Sequence, residues 1–196
     1  MSSAASFEVL LAVSRQLQDD FIDEDIQEMQ EGSGRNSRTV LNRMITVRGK
    51  RQGQPIVLSY ADFYSTSFSP TAIPVYERRV LEIFVAQPKV TFEGTCRERG
   101  AIDNVARWFG GGGTKGPHPI FTRMRMDAEP GCTPDNFEDR AFGDALEALA
   151  SRHEVKRVQL LAGSGLTAIT SFSAEAATPE SVLRLVDDVR AVTATL

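Results

Sequence analysis

Apolar residues near the start of the chain recur at helical spacing. Phe7, Leu10, Leu11, Leu17 and Phe21 fall close to one stripe, and Ile22, Ile26 and Met29 continue its edge. With Ser6 as a cap and Gly32 as a stop, this pattern predicts an amphipathic helix across residues 6–31, followed by a Gly32-Ser33-Gly34 linker. The period then changes. Thr39–Arg48 is rich in β-branched residues, Gly49–Gly53 carries two glycines and reads as a turn, and Ile56–Tyr60 returns as a partner strand, so a hairpin is expected. Ile73–Ala86 reads as a third, long strand, which Pro88 separates from the short run Val90–Phe92. Connections this short rule out parallel crossovers and predict antiparallel pairing.

Further along, Ala101, Ile102, Val105, Trp108 and Phe109 predict a short helix stopped by Gly110, with Asp103 and Arg107 paired at i,i+4. Four consecutive glycines make residues 110–119 a flexible loop, and Ile120–Met126 reads as a strand. Phe142, Ala145, Leu146 and Leu149 give another helix. Val155–Leu161 and Leu166–Phe172 form a second hairpin across residues 162–165. The last helix is the most strongly signalled: Thr178 caps it, Pro179 takes the first position, and Val182, Leu185, Val186, Val189 and Val192 line one face. The fold class expected is α+β: an antiparallel sheet with about three packed helices and an N-terminal amphipathic helical arm. Residues 1–34 form the acidic arm and linker, and residues 35–196 the α+β domain.

Composition narrows the class. The chain has 196 residues, 41% hydrophobic and 24% charged, which is a globular balance. Its net charge of -4 provides no global basic field for nucleic acid or anionic lipid. No apolar run approaches the roughly 20 residues that span a bilayer, and the first residues lack the basic start of a secretory signal. A cytoplasmic protein with reduced Cys96 and Cys132 is the simplest expectation.

Familiar chemical motifs fail on spacing. Gly110–Gly116 contains glycines, a threonine and a lysine in the wrong order for a phosphate loop, and Gly116-Pro117 follows where a helix should open. Gly163-Ser164-Gly165 has Ala162 where a nucleophile elbow needs glycine, so a hairpin turn explains it better. Cys96, Cys132, His118 and His153 have no close-spaced pair of the zinc-site kind. Asp23 and Asp25 suit a calcium loop, but Glu28 stands where the turn needs glycine. No cofactor or metal is therefore expected. An enzyme would need a cleft near Cys96, His118 and Arg123, with Arg97 and Arg99 lowering the thiol pKa.

Charge is segregated. Residues 1–34 hold Glu8, Asp19, Asp20, Asp23, Glu24, Asp25, Glu28 and Glu31 against a single base, Arg15. Residues 35–60 hold Arg35, Arg38, Arg43, Arg48, Lys50 and Arg51 and no acid. A basic hairpin followed by Tyr60, Phe63, Tyr64 and Phe68 has the composition of a single-stranded nucleic-acid surface, with Arg43, Arg48, Lys50 and Arg51 as its contacts. The simpler reading docks the acidic helix on the basic hairpin, within one molecule or across a dimer. A third variant has the acidic helix compete with an anionic partner for that basic face, which would be autoinhibition.

Two stretches have a familiar look: Gly34–Asn42 continuing through Arg48–Tyr60, and Pro134–Phe142 followed by a helix, a hairpin and a closing helix. Together they resemble a loose class of uncharacterised bacterial α+β domains. The resemblance spans residues 34–196 and implies that fold and a bacterial origin. It carries no activity and no site, because its positions are hydrophobic and turn positions rather than chemical ones. The functional expectation is a non-catalytic module that binds a protein or itself through residues 6–31, with Phe21, Ile26 and Met29 as apolar contacts. Nucleic-acid binding through residues 35–51 and an enzyme are the alternatives.

Overall fold

The computed structural model describes residues 2–31, 38–67, 75–99, 118–128, 140–173 and 175–196. The expected helix at 101–109, most of the glycine-rich loop, the linker at 32–34, Arg35 and Cys132 lie outside the described residues. In chain order the elements are α1 (Ser2–Ser14), β1 (Gln18–Glu31), β2 (Arg38–Arg51), β3 (Gln54–Ser67), β4 (Val75–Ala86), β5 (Gly94–Glu98), α2 (Ile120–Arg123), β6 (Met124–Ala128), α3 (Arg140–Arg152), β7 (Val155–Leu161), β8 (Gly165–Ser171) and α4 (Pro179–Thr193). The pairs β1–β2, β2–β3, β5–β6, β5–β7 and β7–β8 are all antiparallel, which with the helices gives the α+β class. Among the described residues, no helix is long and apolar enough to cross a membrane.

The chain divides into two compact units, Met1–Glu82 with Ser171–Val182, and Ile83–Thr170 with Leu183–Leu196. Strands in the first run in the order β1-β2-β3-β4. In the second they continue from β4 through β8, β7 and β5 to β6, so β4 contributes to both.

The first unit corrects the expectation of one helix over residues 6–31. Helix stops at Ser14, and Gln18–Glu31 is a strand. The turn of chain between them is closed by the Gln16 and Leu17 amides, which donate to the carbonyls of Val13 and Ser14. α1 sends Leu10 and Val13, both fully buried, into the core, each worth roughly 2 kcal/mol of burial. It lies against β2 and β1 and is part of this unit's core, where the sequence suggested an arm. β2 and β3 alternate cleanly. Arg43, Ile45 and Val47 share the buried face with Ile56, Leu58, Tyr60 and Asp62, through the register pairs Arg43↔Asp62, Ile45↔Tyr60 and Val47↔Leu58. Their hairpin is tighter than expected: the strands run on to Arg51 and Gln54, and the turn is only Gln52-Gly53, with φ of 51° and 80°. Two positive φ values match the right-handed twist of the flanking strands. Gly49 sits inside β2 because a Cβ there would stand 2.8 Å from that of Leu17. A 13-residue helix spans about 20 Å and a 14-residue strand about 45 Å, so α1 covers less than half the length of this ladder.

In the second unit the β7–β8 hairpin stands where the sequence placed it, turning at residues 162–164 with Gly163 at φ 66°. The Gln87 amide donates to the Ser164 carbonyl (2.8 Å), so this turn closes against the end of β4. Gly165 is required there, since a Cβ would lie 2.1 Å from the Val85 carbonyl oxygen. The strand expected over Ile120–Met126 is instead the short α2 followed by β6, and β5 went unrecognised. α3 buries Phe142, Leu146 and Leu149 at helical spacing. At the start of α4, in the first unit, Thr178 and Ser181 cap each other. The Ser181 amide donates to Thr178 Oγ1 (3.2 Å), and the Thr178 amide donates to Ser181 Oγ (2.9 Å).

Candidate functional site

Among the described residues β1 has a strand neighbour on one side only. It is held to β2 through registered backbone pairs such as Phe21↔Arg48, Asp23↔Thr46, Asp25↔Met44 and Ile26↔Arg43. Charge follows the register. Arg43 reaches diagonally to the Glu24 carboxylate, and Lys50 Nζ lies 2.6 Å from Asp19 Oδ2. The Lys50 ammonium holds the Asp19 carboxyl below its ordinary range, first by hydrogen bonding and then by charge. The acidic segment therefore docks on the basic hairpin inside one molecule, as a strand.

That docking decides what the proposed contact residues can do. Arg43 is buried, the exposed Lys50 is tied to Asp19, and Arg51 has a partner, which leaves Arg48 as the one exposed cation of the four with no ion pair among the described residues. On β1 the opposite holds. Phe21 is 54% exposed and Ile26 59%, while Asp20, Asp23, Asp25 and Glu28 all face solvent. Past the irregularity between Gln18 and Phe21, residues 21, 23 and 25 share one face and 22, 24, 26 and 28 the other. Each face thus carries an exposed apolar group and at least two acids. The Met29 side chain lies outside the described residues.

Behind this strand is a buried polar cluster. Asp62, fully buried, stands opposite Arg43 in the register, with Arg79 Nε 3.8 Å from its Oδ1. Burial pushes its carboxyl above the ordinary range, although Tyr60, Arg79 and Arg43 pull the other way. Neither Asp62 oxygen makes a hydrogen bond of good geometry. Burial likewise raises the Tyr60 phenol, whose ring packs edge-on against Phe172 at 5.1 Å. Sequence reasoning passed over this acid. The signal was its parity: Asp62 is in phase with Ile56, Leu58 and Tyr60, so strand alternation alone puts it on the buried face.

The cleft anticipated near Cys96, His118 and Arg123 has no chemistry linking the three. Cys96 is fully buried, and burial pushes its thiol up to about 12 despite the Arg99 charge, so it is not a thiolate at neutral pH. His118 is buried on α3. Its Nδ1 accepts the Ile120 amide (3.1 Å), which leaves Nε2 to donate to Asp144 Oδ1 (3.0 Å). The ring lies so close to Gly143 that a Cβ there would approach it to 2.3 Å, which is the packing of a structural residue. Arg123, exposed on α2, lines an open groove of about 500 Å³ with Glu98, His153 and Lys156. His153 Nε2 lies 2.8 Å from Asp188 Oδ2 and Arg152 Nη1 lies 2.8 Å from Asp188 Oδ1, fastening the end of α3 to α4. Arg152 sits where a helix C-terminus favours a cation, and the shared Asp188 gives both side chains a structural role. No group of three metal-ligating side chains occurs among the described residues.

No family model, curated protein or solved structure matches the chain.

Proposed function

We propose that this chain is a non-catalytic protein-binding module whose recognition element is the N-terminal strand β1. The observation that carries the reading is a 14-residue strand at the end of the strand order with Phe21 and Ile26 standing 54% and 59% exposed. Such a strand presents unpaired backbone donors and acceptors beside side chains that a partner would cover. Helix α1 is spent on the core of its own unit, so the binding role expected for residues 6–31 falls to the strand half of that segment. Self-association of two β1 strands would set acid against acid, and the reading is therefore a heterotypic partner. Nucleic acid is a weaker candidate, because acids of β1 already occupy Arg43 and Lys50.

Panning displayed random peptides against the full chain and against a Phe21→Ser/Ile26→Ser variant tests this. Both sites are exposed, so the variant is expected to keep its denaturation midpoint. Peptides that bind the wild type and lose binding to the variant are the expected result. Peptides held equally by both, or none recovered, would contradict the reading.

A further inference from the structure

Resting on that reading, we infer that the outer edge of β1 takes a basic extended segment of a partner protein as an added strand. The protein already contains one example of this recognition. β2 is such a basic strand, and it lies against the inner edge of β1 with Arg43 on Glu24 and Lys50 on Asp19. Acids are left over after this pairing. Asp23 and Glu28 have no hydrogen bond or ion pair among the described residues, and Asp25 accepts only from the Gln27 side chain (2.7 Å). They lie on both faces of the strand, Asp23 and Asp25 on one and Glu28 on the other. An added strand with lysine or arginine at alternate positions would therefore meet an acid on whichever face its cations project. Its intervening residues would cover Phe21 on one face or Ile26 on the other. Backbone pairing supplies the geometry and the charge pattern supplies the choice of partner. A polyanion would be repelled by the same row of acids.

Fluorescence anisotropy on the full chain with labelled octapeptides of alternating lysine and valine tests the inference. Comparison peptides replace lysine by threonine, or keep the lysines and replace two valines by proline. The lysine–valine peptide is expected to bind about tenfold or more tighter than threonine–valine, with the advantage fading at high salt, and the proline peptide to fail. Equal binding of the threonine and lysine peptides would overturn the charge preference while leaving β1 as an interaction strand. Equal binding of the proline and lysine–valine peptides would overturn strand addition, reducing the site to diffuse electrostatics. Failure of all three would remove both this inference and the reading beneath it. Asp23→Lys with Glu28→Lys, both exposed, is expected to abolish the lysine–valine preference and leave the denaturation midpoint nearly unchanged; persistence of the preference would place its source elsewhere.

Discussion

The strand pairs β1–β2 and β7–β8 have the same antiparallel geometry but are held together by different forces. In β7–β8 both strands supply the core: Val155, Val158 and Leu160 on one, Leu166 and Ala168 on the other, with a glycine turn fitted against β4. In β1–β2 the core is one-sided. β2 buries Ile45 and Val47, whereas no side chain of residues 18–28 is fully buried. What β1 contributes is backbone pairing and complementary charge. β8 and β7 also have β4 and β5 as outer neighbours, whereas β1 ends the strand order and keeps its outer edge and unused acids available. That difference is the reason the proposed binding role falls to the first unit.

The largest expected effect marks the burial-held side of this contrast. Gly165→Ala puts a Cβ 2.1 Å from the Val85 carbonyl at a φ of 153°, and is expected to cost about 3 kcal/mol or more, with little dependence on salt. A denaturant midpoint within error of wild type would show that the β7–β8 turn is loose. On the other side, Arg43→Ala removes the cation between Glu24 and the buried Asp62. A loss of about 3 kcal/mol is expected from chemical denaturation, together with faster amide exchange along β1. Unchanged exchange in β1 would mean that charge does not hold the strand.

Asp62→Asn gives a subtler reading. The folded-state pKa of Asp62 lies above its ordinary 3.8, so the folded chain keeps this proton longer than the unfolded chain does. Wild-type stability should therefore fall, through this group, as pH rises from about 3.8 through the raised folded value, and level off above it. The asparagine variant is expected to lack that segment of the stability–pH curve. Identical slopes in the two proteins would show that Asp62 ionises normally. The smallest effect belongs to Lys50→Ala. Its partner Asp19 is solvent-exposed, so no resolvable shift in midpoint is expected at ordinary salt, and a clear loss would mean that the exposed end of the ladder matters more than its screening allows.

The same contrast explains what could be read from the sequence. β7, β8 and α4 write their own periods and caps, and the hairpin and the Thr178 cap stand where they were expected. β1 does not. Phe21, Ile22, Ile26 and Met29 suit a helical edge as well as a strand, and a run of acids favours neither. Its conformation is dictated by β2, a tertiary neighbour that local spacing cannot express. Even so, the charge asymmetry between residues 1–34 and 35–60 did foretell the docking, though not its form. Arg43 was legible as basic but not as buried. Its phase with Ile45 and Val47 carried that information, as it did for Asp62 with Leu58 and Tyr60.

Amide hydrogen exchange of the full chain, with and without the lysine–valine peptide, tests the central claim most directly. New protection is expected at alternate amides of residues 18–28 and none in β7 or β8, because only outward-facing amides of β1 gain a partner. Protection absent from β1, or spread evenly over the basic and acidic strands of the first unit, would contradict it.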